Sequence, residues 1–387
     1  MDVVAGRIGR GAADGRHAVK IAIVGAGPAG SFCAFKLARA GGDVTLFDRH
    51  PESWEKPCGG GVPPKVRERF AEIERYDGDK QIVAVGNFIS PGGTEVTTTG
   101  GRALWVVARK QFDGYIRALA LDAGAKFVGE RIKRVEKDNG RFKLYGKRMR
   151  KFDYVVGADG ALSVVRRDLL KPIPKKFICM TVGYFLDVDA DEAVTWFLPK
   201  PGYIWSFPRS DHVCLGGGTI EADVAMWPLI DEKKQSHYAD AKIRQKWAAP
   251  IPSISDPAYF DMRVTGPNFA VVGDAAGHVD SLSGEGILYA LWGGALLAQA
   301  ILEGKPDRFE QSWRDEFGHE LRKASELFWK VYNPRTMEWV IRIAARSQSM
   351  REFFRYIMTE QPSYRVAGAN LKRRLPTIAL EVLKSLP

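Results

Sequence analysis

Residues 19–48 read VKIAIVGAGPAGSFCAFKLARAGGDVTLFD. An apolar, β-branched opening, a compact GAGPAG turn, a helical SFCAFKLARAG and a renewed strand DVTLFD together spell a βαβ unit. Gly25, Gly27 and Gly30 hold the GxGxxG positions between the first strand and the helix. In that setting Gly25 permits the tight turn, Gly27 lets a phosphate approach the backbone, and Gly30 lets the helix pack closely. The free amides of the helix N-terminus favour the negative charge of a pyrophosphate. Asp48 closes the second strand, where a carboxylate accepts hydrogen bonds from an adenosine ribose. Strand, turn, helix and terminal acid agree on a dinucleotide site.

The rest of the chain leaves room for more. Its 387 residues suit two or three domains and a large core, which excludes a small disulfide scaffold. Hydrophobic residues make up 45% and charged residues 27%, so the 40 glycines indicate turns and ligand loops, not a collagen-like chain. The 57 basic and 46 acidic residues leave a formal charge of +11, which favours anions without choosing among nucleic acid, an acidic membrane and a phosphorylated metabolite. No specific nucleic-acid partner is expected. Cys33, Cys58, Cys179 and Cys214 include no CxxC or zinc spacing, so a reducing, cytoplasmic location is expected, with peripheral attachment to the inner face of the cell membrane as an alternative. Residues 1–18 lack the apolar core of a signal peptide and read as a flexible extension. Residues 286–302, GILYALWGGALLAQAIL, include Gln299 and sit at the lower edge of spanning length, so they read as a buried helix.

Strand and turn punctuation divides the chain discontinuously. Residues 19–80, 102–170 and 266–302 are expected to build the nucleotide domain, an α/β Rossmann-like fold. Residues 81–101 and 171–265 carry closely spaced strand candidates and are expected to form an antiparallel substrate sheet in an α+β domain. Residues 303–387 lack strand spacing and are expected to form a mainly helical C-terminal region. Within the middle segment, EKKQSHYADAKIRQKWAA reads as one helix.

Two later loops, YVVGADGALSVVRR and FAVVGDAAGHVDSLSGEG, resemble the DG and GD motifs of flavoprotein monooxygenases and their reductase relatives. That resemblance implies FAD held by three separated segments. It implies a supporting role for Asp159 and Gly160, and that Asp274 binds the ribityl and phosphate region through hydrogen bonds. Ala29, Arg49, Gly284, Gly286 and Ile287 fall on the same cofactor loops. Arg109 begins an R-x-x-F-D segment that the resemblance also places on the cofactor.

Three further matches narrow the family. EKPCGGGVP, PGYIWSFP and GDAAGHVDSLSGEGI resemble the cysteine-glycine loop, the YxWxFP motif and the extended flavin loop of FAD-dependent geranylgeranyl reductases, a likeness that runs through about Ile301. The resemblance implies reduction of carbon–carbon double bonds in an isoprenoid chain. It implies catalytic roles near the flavin for Cys58 and Tyr203, with Cys58, Gly59, Gly60, Tyr203, Trp205 and Phe207 against the substrate. Alternation places the three aromatics on one strand face, suited either to a prenyl channel or to an ordinary core. NAD(P)H and ferredoxin both stand as electron donors, and a donor protein is an expected partner. No metal site is expected, and His212 and His278 read as satisfied loop or surface histidines.

Two other readings compete: an FAD-dependent hydroxylase or halogenase, and a noncatalytic prenyl-lipid carrier. In RTMEWVIRIAARSQSMREFFRYIM, Val340, Ile341, Ala344, Phe353, Phe354 and Ile357 recur at helical spacing among arginines. The stripe suits an anionic membrane as well as it suits a helix packed on the protein.

Overall fold

The computed structural model describes residues 19–360 and 363–385. The expected extension over 1–18 lies outside the described residues. The chain divides into two compact units. The first comprises the segment ending at Glu55, residues 110–178 and residues 251–325. The second comprises residues 56–109, residues 179–250 and the segment from Glu326 onward.

The first unit is a doubly wound α/β fold. Its sheet runs in the spatial order Thr265–Gly266, Phe269–Val271, Tyr154–Gly157, Lys20–Val24, Asp43–Asp48, Lys126–Gly129. All neighbours are parallel except the short Thr265–Gly266 edge. The central strand is apolar because both of its faces are covered: Ile21, Ala22 and Ile23 are fully buried. Parallel order sends the loops after Val24, Gly157 and Val271 out at one edge, the position where open α/β sheets bind ligands. The Pro28–Arg39 and Ile287–Leu302 helices pack so closely that a Cβ at Gly294 would stand 2.5 Å from the Ala29 carbonyl oxygen. The apolar run over 286–302 is therefore absorbed as a core helix, and among the described residues no helix is long and apolar enough to cross a membrane.

The second unit is built on an eight-stranded sheet, ordered Lys242–Pro252, Ile178–Asp187, Val213–Thr219, Gly202–Pro208, Ala193–Phe197, Lys80–Ile89, Glu95–Val107, Gly61–Val62. It is not purely antiparallel, because Ala193–Phe197 runs parallel to Lys80–Ile89. KIRQKWAA, expected within a helix, is strand: the helix ends at His237 and the edge strand begins at Lys242.

Several expected boundaries shift for identifiable reasons. Residues 56–80 and 102–109 belong to the second unit, since Gly61 and Val62 pair with Val106 and Trp105 and one strand runs unbroken from Glu95 to Val107. The Arg67 guanidinium clamps that edge by donating to the Ala103 carbonyl at 3.0 Å and lying 4.2 Å over the Trp105 ring. Residues 171–178 and 251–265 join the first unit, where the Ser253 amide donates to the Phe177 carbonyl at 2.8 Å. Residues 303–325 also join it, with Trp313 and Phe317 buried against His278.

The C-terminal helices beyond Glu326 serve the second unit's sheet. Ile341, Ala344, Phe353, Val340, Phe354 and Ile357 pack with Phe88 and Val96. Glu338 adds a polar tie by accepting from the Gly92 amide at 2.8 Å. The apolar stripe that suited a membrane is thus used as core.

Candidate functional site

Three loops at one sheet edge of the first unit converge. The Gly25 amide donates to the Phe47 carbonyl at 2.7 Å, and the Ala158 amide donates to the Val24 carbonyl at 2.7 Å, which pins the turns after neighbouring strands together. Gly25 has φ +104°, and a Cβ there would stand 2.2 Å from the Ala158 oxygen. Gly30 is as constrained, with a Cβ only 1.9 Å from the Gly25 oxygen. Gly273 approaches from the third loop, and a Cβ on it would stand 3.0 Å from the Ala29 Cβ. Gly27 differs from all of these: it has ordinary extended geometry, no side-chain cap serves the helix it precedes, and nothing lies within 4 Å of a Cβ built there. The open space sits over the amino end of the helix, whose first amides have no intrahelical partner, the arrangement a phosphate requires. This donor set and this gap fit a dinucleotide, so Gly25, Gly27, Gly30 and the two later loops would hold FAD.

The acids around these loops have defined work within the fold. Asp48 accepts from the Ala26 amide at 2.8 Å through one carboxylate oxygen and from the His50 amide at 2.8 Å through the other, so it shapes the phosphate turn while each oxygen keeps a lone pair. Arg49 is exposed, donates to His50 at 3.0 Å and lies 5.6 Å over the Trp54 ring. Asp159 accepts from the Ser163 hydroxyl and from the Val164 amide at 2.6 Å, which caps the Val164–Leu169 helix. Burial pushes its carboxyl up to about 6, opposed by the Ser163 hydroxyl and backbone donors. Gly160 follows at φ +85°, with open space where a side chain would be. Asp274 lies in the Gly273–Ala275 turn, 3.3 Å from a Cβ placed on Gly286, and Gly284 has φ +71°. Asp280, which sequence reasoning missed, organises this loop by accepting from the Leu282 and Ser283 amides at 2.9 Å each. Ile287 and Ala29 are buried in helix packing. Arg109 is a buried cation opening the Arg109–Asp122 helix.

His278 departs from expectation. It is fully buried, neither ring nitrogen has a hydrogen-bond partner among the described residues, and it lies against Trp313 at 4.6 Å and Phe317 at 5.2 Å. Burial lowers its pKa to about 3, and the charges of Arg166 and Arg314 push the same way. A folded pKa below the ordinary 6.5 means that the unfolded chain takes up a proton which the folded chain refuses. Stability is therefore complete above about pH 6.5 and declines toward pH 3, by up to about 1.4 kcal/mol per pH unit. Urea unfolding at pH 7 and pH 5 should show this acid sensitivity in the parent chain and a smaller one in His278→Leu; equal slopes would remove His278 from the effect. His212, by contrast, is paired, with Nδ1 2.6 Å from Asp211.

The second unit gathers the remaining candidates. Tyr203, Trp205 and Phe207 share a face of the Gly202–Pro208 strand with Phe185, Cys214 and Trp247. Ile204 points the other way, into a separate cluster with Met226 and Ile230. Trp205 is buried and stacks at 6.1 Å on Trp247, while Tyr203 and Phe207 stay partly open and Tyr203 lies parallel to Tyr332 at 6.5 Å. The indole nitrogens of Trp205 and Trp247 have no hydrogen-bond partner among the described residues. The face is thus part core and part open wall.

Against this wall sits the Cys58 loop. A Cβ at Gly59 would come within 2.8 Å of the Phe207 ring, and one at Gly60, φ +82°, within 2.3 Å of the Val107 oxygen. These glycines serve close seating, which a residue with a side chain would prevent. The Cys58 carbonyl accepts from the Arg209 guanidinium at 2.7 Å and from the Cys214 thiol at 3.2 Å. The Cys58 thiol is partly exposed, and among the described residues its sulfur accepts only a long 3.4 Å contact from the Gly60 amide. Arg209 is 2% exposed and lies 4.9 Å over the Phe185 ring. Sequence reasoning missed it, because arginine is ordinarily a surface residue.

A family model described as pyridine nucleotide-disulphide oxidoreductase matches residues 19–228. The geranylgeranyl diphosphate reductase of Rhodobacter capsulatus is 33% identical over 313 residues, 73% of this chain and 76% of that protein. A menaquinone reductase of Mycolicibacterium smegmatis is 30% identical over 372 residues, 85% of this chain and 88% of that protein. The crystal structure of a geranylgeranyl bacteriochlorophyll reductase-like protein from Thermoplasma acidophilum aligns with a TM-score of 0.77 at 21% identity, covering 92% of this chain and 99% of that one.

Proposed function

Because this chain belongs to the FAD-dependent geranylgeranyl reductase group of flavoprotein oxidoreductases, we propose that it reduces carbon–carbon double bonds in a geranylgeranyl or related isoprenoid chain. Reduced FAD supplies a hydride equivalent when bound, and the second hydrogen arrives as a proton. The observation that carries the reading is the Cys58–Gly59–Gly60 loop seated on the open part of the Tyr203–Trp205–Phe207 face. Tyr203 and Phe207 offer broad apolar surface to a prenyl chain, and Cys58 offers a thiol beside it. Arg209 and Cys214 hold the loop's backbone and so position that thiol without consuming it. In the first unit, Gly25, Gly27, Gly30, Asp48 and the loops of Asp159 and Asp274 bind and orient the cofactor. Arg49 supplies a cation to it.

Cys58 and Tyr203 are proposed as the catalytic residues, each bearing a transferable proton. NAD(P)H or a ferredoxin is proposed as the electron source. The substrate head group is tested with a panel: geranylgeranyl diphosphate, a menaquinone and a prenylated pigment, each incubated with enzyme and reductant and read by product mass. One class should gain hydrogen in pairs. Products gaining oxygen or halogen would instead favour a hydroxylase or halogenase, and binding without any product would favour a carrier.

A further inference from the structure

The terminal helix Tyr364–Lys384 has two unlike faces. Inward, Leu371, Ile378 and Val382 join the cluster around Phe88 and Phe353. Arg374 donates to Glu352 at 3.1 Å and to Asn370 at 2.8 Å, and Glu381 accepts from the Ser349 amide at 3.0 Å. Glu381 is the helix's acid, and these bonds turn it toward the protein. Outward lie Arg365, Lys372, Arg373 and Lys384, all exposed and without an ion pair to a described residue. Between them stand Leu380, 52% exposed, and Leu383, 66% exposed, together with Val366 and Leu375. Large apolar side chains left in water on a helix whose every outward charge is positive are the composition of an interfacial helix.

We propose that this outer face docks the protein on an anionic phospholipid surface. The leucines enter the boundary between headgroups and acyl chains, while the lysine and arginine stems lie along it and carry their charges to the phosphates. Self-pairing of the same face would set Lys372 and Arg373 against like charges, which disfavours a second copy as the occupant. The placement differs from the stretch over 335–358 that the sequence suggested, because those apolar side chains are core. It holds for any isoprenoid substrate.

The test is sedimentation of the full-length, FAD-loaded protein with vesicles of phosphatidylcholine alone or of phosphatidylcholine with phosphatidylglycerol. Each basic residue near an anionic leaflet is worth roughly fivefold in partitioning, so K372E/R373E should weaken binding to the anionic vesicles by roughly 25-fold or more. L380S/L383S should weaken it by roughly tenfold or more, and added salt should release the parent protein. Retained flavin absorbance and circular dichroism certify the variants, and the salt titration reads the parent protein alone. Equal binding to both vesicle types, no binding to either, variants that bind like the parent, or a loss of self-association in their place would each overturn the proposal.

Discussion

Gly27→Val should fold normally and fail to keep its flavin. Gly27 sits at φ −75° and ψ −175°, an extended conformation open to any residue, and nothing lies within 4 Å of an added Cβ. The protein itself therefore gives valine no reason to destabilise the fold by more than about 1 kcal/mol. A branched side chain does fill the space over the amides of the Pro28–Arg39 helix, where the pyrophosphate must approach. Losing two charge-assisted hydrogen bonds at about 1.5–3 kcal/mol each corresponds to a loss of affinity of roughly 100-fold or more. Flavin retained after gel filtration reads the affinity, and thermal unfolding of the apoprotein reads the fold. Gly25→Ala provides the contrast: positive φ and a contact of 2.2 Å with the Ala158 oxygen make it damage the loop and the fold together. If Gly27→Val kept its flavin, the phosphate placement would be wrong.

Cys58→Ala should leave flavin binding and stability nearly intact while lowering isoprenoid reduction by roughly 100-fold, the scale of a lost proton donor. The substitution is clean because Arg209 and Cys214 grip the Cys58 carbonyl, so removing the sulfur leaves the loop where it is. Arg209→Met makes the reciprocal change. It keeps the thiol and much of the packing on Phe185 but leaves the Cys58 carbonyl without its charged donor, a loss of about 1.5–3 kcal/mol. Turnover should fall in both variants. Only Arg209→Met should also lower the unfolding temperature. Pre-steady-state reduction rates beside melting curves separate the two, and unchanged turnover in Cys58→Ala would remove the thiol from the mechanism.

The nucleotide unit was legible because local pattern and final role coincide there. Strand, GxGxxG turn, helix and terminal acid lie within residues 19–48, and parallel pairing with Tyr154–Gly157 and Phe269–Val271 brings the other two loops to the same edge. How the chain divides between the units was less legible, because it depends on long-range pairing. Gly61 and Val62 are too short to announce a strand, yet their bonds to Val106 and Trp105 carry residues 56–80 out of the unit they were expected to join. KIRQKWAA has helix-forming residues but becomes an edge strand because Trp247 is needed against Trp205 and Phe185. Arg209 and His278 show the same limit at single residues. Their types suggest surface positions, and only tertiary structure reveals one gripping the Cys58 carbonyl and the other enclosed by Trp313 and Phe317. The stripe of Ile341, Ala344 and Phe353 had an amphipathic period that fits lipid or protein equally well; Phe88 and Val96 decide for protein.

Under the proposed function, reducing equivalents pass from the flavin to an isoprenoid double bond. The most direct measurement reduces the bound FAD without oxygen, adds the geranylgeranyl compound selected by the panel, and follows flavin reoxidation alongside product mass. Reoxidation should need no oxygen, and each flavin reoxidised should yield one product heavier by two hydrogens. Flavin that stays reduced until oxygen is admitted, with a product then carrying oxygen or halogen, would contradict it.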